Sequence, residues 1–126
     1  MEVRRLGRTG HHATIMTLGG CGLGRISQEE ADRAVELAME HGVNMIDVAP
    51  TYGEAEVRLR PWVERYRDRF FLAGKTLKRT RAEAWEELNR SLMRLGTYHF
   101  DLYQFHAVGT MDELNQILGE GGAMEA

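Results

Sequence analysis

The stretch Val43-Asn44-Met45-Ile46-Asp47-Val48-Ala49-Pro50-Thr51-Tyr52-Gly53 sets the reading of the whole chain. A short, largely apolar run ends on one carboxylate and gives way to a loop punctuated by proline and glycine, which reads as a buried strand leaving a sheet. Upstream, Ser27-Gln28-Glu29-Glu30 has the form of a capping box, in which hydroxyl and carboxylate satisfy the free amides of a helix start. Ala31, Ala34, Val35 and Ala38 follow at helical spacing, and His41-Gly42 closes that helix. Downstream the rhythm repeats. A helix is expected over 54–65, with Pro61 as a point where it splits. The next strand is Phe70 to Lys75. Thr80-Arg81-Ala82-Glu83 is a second capping box, with Trp85, Leu88, Leu92 and Leu95 on one helical face and Gly96 as the stop. Phe100 to His106 is a further strand. Thr110-Met111-Asp112-Glu113 is a third capping box, opening a helix with Leu114, Ile117 and Leu118 on its face.

Ahead of these units, Val3–Leu6 and Ala13–Leu18 flank the turn residues Gly7-Arg8-Thr9-Gly10, which predicts a hairpin leading into a first core strand over 15–19. Strand–helix alternation of this kind predicts a parallel sheet with crossover helices. The strand ends Asp47, Lys75 and His106 lie 28 and 31 residues apart, the length of one such unit.

The 126 residues suffice for one domain, with 43% hydrophobic and 28% charged content. Sixteen basic against nineteen acidic residues leave a net charge of −3, without the basic footprint of a nucleic-acid binder. No apolar run approaches the roughly 20 residues of a membrane helix, and Met1-Glu2-Val3-Arg4-Arg5 leads into no apolar segment of a secretory signal. The single cysteine, Cys21, offers no internal disulfide and fits a reducing cytoplasm; without a partner cysteine its expected role is burial. His11-His12 has no partner at metal-ligand spacing. Gly19-Gly20-Cys21-Gly22-Leu23-Gly24 lacks the spacing of a dinucleotide fingerprint and is expected to form a tight turn whose bare backbone would let a cofactor approach. Lys78, Arg79 and Arg81 read as a solvated helix entry.

The chemistry lies in what ends the strands. Parallel strands put their C-terminal ends on one rim, where such folds carry their sites. Asp47, Lys75 and His106 converge there, and Tyr52 overhangs the rim from its loop. Singly, each has a plainer role: a cap, a snorkelling lysine, a loop histidine, a rim aromatic. Together they form a proton-handling set. An ammonium held by a carboxylate favours the ionised phenol, so Tyr52 can exchange a proton with an oxygen that His106 orients. None of these groups delivers a hydride, so a nicotinamide cofactor is required.

These residues resemble the aldo-keto reductase family. The likeness is carried by Arg5-Leu6-Gly7-Arg8-Thr9-Gly10, the stretch from Gly42 to Gly53, Leu72-Ala73-Gly74-Lys75, Ser91-Leu92-Met93-Arg94-Leu95-Gly96-Thr97 and Asp101-Leu102-Tyr103-Gln104-Phe105-His106. Ala55-Glu56 stands where the family has Ser-Glu. The resemblance implies a (β/α)8 barrel of the TIM type, with an N-terminal hairpin at its bottom, and reduction of aldehydes or ketones to alcohols with NADPH; the residues themselves leave NADH open. It implies a catalytic tetrad of Asp47, Tyr52, Lys75 and His106, with Tyr52 as general acid. It implies cofactor contacts at Gly19, Gly20, Cys21 and Asp47, and a small carbonyl substrate as partner.

A full barrel takes about 250 residues, and this chain has about four units. Residues 1–126 are therefore expected to be the N-terminal half of such a barrel, with a hairpin over 3–18 and βα units over 15–126, a fragment with little activity alone. Two alternatives remain open at this point. One is a non-enzymatic half-barrel that self-associates through its open sheet edges. The other is an open four-stranded module that binds a small ligand.

Overall fold

The computed structural model describes all 126 residues. Two short strands, β1 (Val3–Arg5) and β2 (His12–Thr14), form the antiparallel hairpin, with Val3 opposite Thr14. Asn44 ties this hairpin to the domain: its Oδ1 accepts from the Thr14 amide at 2.9 Å and its Nδ2 donates to the His12 carbonyl at 2.9 Å. The His11 ring stacks on Phe71 with centroids 4.5 Å apart. The hairpin thus lies against the N-terminal ends of the strands, away from the rim.

Four parallel strands follow, β3 (Leu18–Gly19), β4 (Met45–Asp47), β5 (Phe71–Thr76) and β6 (Leu102–Phe105), and they lie side by side in chain order. Consecutive order is the winding of a (β/α) barrel. The open doubly wound module needs a reversal of strand order, which is absent here. The connecting helices are α1 (Gln28–Glu40), α2 (Ala55–Tyr66) and α3 (Arg81–Leu95), and α4 (Met111–Leu118) follows β6. Ala31 and Val35 of α1, Leu59 and Val63 of α2 and Leu95 of α3 close on Ile46, Val48 and Leu72 from the sheet, all essentially solvent-free. Two capping boxes form as expected, Ser27 with Glu30 and Thr110 with Glu113.

Local expectations fail where tertiary context overrides them. Pro61 does not split α2, which runs unbroken because Leu59 and Val63 on either side are locked in the core. The Thr80 box does not form: the hydroxyl donates to the Glu83 carboxylate at 2.6 Å and accepts from no helix amide, while the Arg81 amide donates to the Gly121 carbonyl at 2.8 Å and the Thr80 backbone bridges to Gly122. The buried face of α3 is Ala84, Glu87, Ser91 and Leu95, so Trp85 points outward, 55% exposed, with Leu88 and Leu92 half-buried at the margin. On α4 only Ile117 is buried, and Leu118 is exposed. The strands at the start are shorter than the sequence suggests, because the chain bends at Ile15–Thr17 to pass from hairpin to sheet.

Candidate functional site at the strand ends

Asp47 ends β4 and Lys75 is the penultimate residue of β5, so parallel pairing brings two charges to neighbouring positions on one rim. Lys75 Nζ donates to Asp47 Oδ1, and the lysine side chain is only 12% exposed. Gln104 on β6 reaches the same carboxylate oxygen at 3.3 Å. Lys75 Nζ stands 5.5 Å from the centre of the Tyr52 ring. The His106 ring, one residue past β6, meets that of Tyr52 edge-on, with centroids 5.8 Å apart and planes at 87°. Its Nδ1 is buried without a partner. The structure therefore brings Asp47, Tyr52, Lys75 and His106 into one cluster. A cation fixed beside a phenol, with an imidazole at its edge, is suited to passing a proton to an oxygen that enters between them.

The turn after β3 lies next to the same cluster. Gly19 is the register partner of Asp47, and Gly20 packs so closely on β4 that a Cβ there would stand 3.0 Å from the Asp47 carbonyl oxygen. Gly19 has open space where a Cβ would be. Cys21 is exposed in this turn, against the expectation of burial, because the short 3-10 turn Gly20–Leu23 directs Leu23 inward instead.

Arg79 also departs from its expected solvated role. Its side chain is only 12% exposed, and Nη2 donates to the His106 carbonyl at 2.7 Å and approaches Glu113 at 3.4 Å. The next residue, Ala107, is the one non-glycine with positive φ, at 54°. Sequence reasoning missed Arg79 because nothing in the chain order signals that the loop after β6 folds over it. It also passed over Gln104 as a site residue, although alternation along β6 puts Gln104 on the Asp47 side. Tyr103 goes the other way, toward Glu87, where burial first and then that carboxylate push its hydroxyl up to about 12.

The aldo/keto reductase family model matches residues 15–121. The chain belongs to the aldo/keto reductase family. Among curated members it is 31% identical to the aldo-keto reductase YhdN of Bacillus subtilis over 125 residues, covering 84% of this chain and 38% of that one. It is 34% identical to ML1669 of Mycobacterium leprae over 95 residues, covering 72% and 34%. Among solved structures, an aldo-keto reductase from Pseudomonas aeruginosa aligns with TM-score 0.82 at 29% identity, over 93% of this chain and 50% of that one. AKR11C1 of Bacillus halodurans, in its holo form, aligns with TM-score 0.81 at 27% identity, over 98% and 48%. A Klebsiella pneumoniae aldo-keto reductase in complex with NADPH shares the fold at 23% identity and TM-score 0.73. This aldo/keto reductase chain thus spans about half of the solved barrels, and 38% of YhdN. Its four strands and hairpin are part of a (β/α)8 barrel.

Proposed function

We propose that residues 1–126 are the N-terminal half of a nicotinamide-dependent carbonyl reductase and carry its proton-transfer machinery. The observation that supports this most is the Lys75–Asp47 pair under the Tyr52 ring, with His106 at the ring's edge. Tyr52 donates a proton to the carbonyl oxygen of an aldehyde or ketone. Lys75 stabilises the phenolate left behind, and Asp47, steadied by Gln104, holds Lys75 in place. His106 donates a hydrogen bond to the same oxygen and orients it.

The hydride is the chemistry that a bound nicotinamide coenzyme supplies. The residues present fit one end of such a group: the bare peptide at Gly19 faces open space beside the Asp47 carboxylate, which suits a ribose hydroxyl, with Gly20 and Cys21 continuing the contact. NADPH is the coenzyme proposed, in keeping with the Klebsiella relative. A cytoplasmic setting, compatible with the free thiol of Cys21, belongs to the same proposal.

The unpaired edges of β3 and β6 favour a second reading for the isolated chain, self-association, since an open sheet edge is a template for pairing. The first reading is tested by activity. The isolated chain should reduce a simple aldehyde with NADPH at a negligible rate. Grafted in place of the matching segment of YhdN, it should give an active barrel that loses about 100-fold or more in kcat/KM on Tyr52→Phe. A grafted, folded barrel that works equally well with Phe at 52 would sink the tyrosine assignment.

A further inference from the structure

The last glycine of the motif Gly19-Gly20-Cys21-Gly22-Leu23-Gly24 has no part in the site described so far. Its backbone, at φ −70° and ψ −18°, is open to any residue, so conformation does not call for glycine there. Space does. A Cβ on Gly24 would stand 2.0 Å from the carbonyl oxygen of Tyr52 and 2.7 Å from its carbonyl carbon, far inside van der Waals contact. Reciprocally, a Cβ on Gly53 would stand 2.6 Å from the Gly24 carbonyl oxygen, and Gly53 needs positive φ, 56°. The Glu54 amide donates to that same Gly24 oxygen at 3.0 Å. The Tyr52–Gly53 peptide therefore lies bare backbone on bare backbone.

The next peptide, Gly53–Glu54, is held by Arg94, in the last turn of α3. Its Nη2 donates to the Gly53 carbonyl at 3.2 Å. Its Nε faces Glu56 Oε2 at 3.0 Å as an ion pair. Glu56 lies in the first turn of α2 and is 1% exposed, so the pair binds the end of α3 to the start of α2, the helix that follows the Tyr52 loop. Both charges complement their helix dipoles.

We propose that Gly24 and Arg94 are positioning residues for Tyr52, two jaws of a clamp that fixes the two successive peptides on either side of Gly53, directly after the residue that bears the phenol. The proposal rests on the reading of Tyr52 as the proton donor. A phenol on a loose loop would sample positions an ångström or more from its partners, and proton transfer tolerates little of that.

The test is a nuclear Overhauser cross-peak between the ring protons of Tyr52 and His106 in the 126-residue chain. The unsubstituted chain should show it. Gly24→Ala should abolish it, whereas Gly22→Ala, whose methyl would meet no atom within 4 Å, should keep it. Arg94→Gln should weaken it, and Arg94→Lys should restore part of it. If Gly24→Ala does not fold, the Arg94 variants alone decide. A full-strength cross-peak in Gly24→Ala or Arg94→Gln overturns the two-jawed clamp and leaves the site reading intact. No cross-peak in the unsubstituted chain overturns the site reading, and the clamp with it.

Discussion

The middle and the margins of this sheet are stabilised by different means. In the middle, β4 and β5 carry Ile46 and Leu72, which have no exposed surface, and helices α1 and α2 cover them. At the margins, β3 has two residues with one neighbour, and all four residues of β6 are half-buried. What apolar cover does for the centre, polar anchoring does for the β6 side: Arg79 grips the His106 carbonyl, and the Thr110–Glu113 box fastens the start of α4. Catalytic candidates come from both zones, Asp47 and Lys75 from the rigid centre and His106 from the anchored margin. A site of this kind tolerates an open edge only if the margin's polar contacts hold.

The sharpest way to break this contrast is to remove equal side chains from each zone. Leu72→Ala opens a cavity in a fully packed place and should lower stability in urea by about 2–5 kcal/mol. Leu102→Ala on β6 removes surface that is only half withdrawn from water and should cost roughly 1 kcal/mol. Equal losses would mean that the margin is covered in solution, as self-association through the β6 edge would bring about.

Legibility in the sequence follows the same division. The strand–helix alternation and the convergence of Asp47, Lys75 and His106 could be read directly, because strand period and parallel geometry together place them. Tyr52 could be placed near them because five residues of loop cannot carry it far from Asp47. The positions of Arg79 and Arg94 depend on which loop folds over which side chain, and no local pattern encodes that, whereas strand alternation carries the signal for Gln104. Trp85 falls outside the core although it is apolar, because the buried face of α3 carries Glu87, which accepts from the Thr76 hydroxyl of β5 at 2.7 Å, and Ser91.

The capping boxes sharpen the comparison at smaller scale. Three helix starts carry Ser or Thr with Glu three residues later, and two form the box. Thr110→Ala removes a cap that accepts from the Glu113 amide at 3.2 Å and should cost about 1 kcal/mol. Thr80→Ala removes a hydroxyl that caps nothing and should stay within roughly 0.5 kcal/mol. Both are read from urea midpoints on the same chain. Equal costs would show that the Thr80 hydroxyl swings to the helix amides in solution.

Glu56, the most deeply buried of the carboxylates, makes the smallest and most specific prediction. Burial pushes the Glu56 carboxyl above its ordinary 4.5, with Ser91 and Arg94 pulling it back and Glu87 adding to the rise. Between 4.5 and that raised value the folded chain holds more protons than the unfolded chain, so stability from this group falls as pH rises through the window. The marginal carboxylates do the opposite. Glu113 and Glu30 are held below 4.5, chiefly by the amides of Gly109 and Ser27 respectively, so their contribution is present above 4.5 and is lost as pH falls. Glu56→Gln should therefore flatten the decline in urea midpoint above pH 4.5 while leaving the loss on the acid side unchanged. An unaltered slope on both sides would mean that Arg94 offsets the burial of Glu56 in full, and that the centre of the molecule carries this charge at no cost to stability.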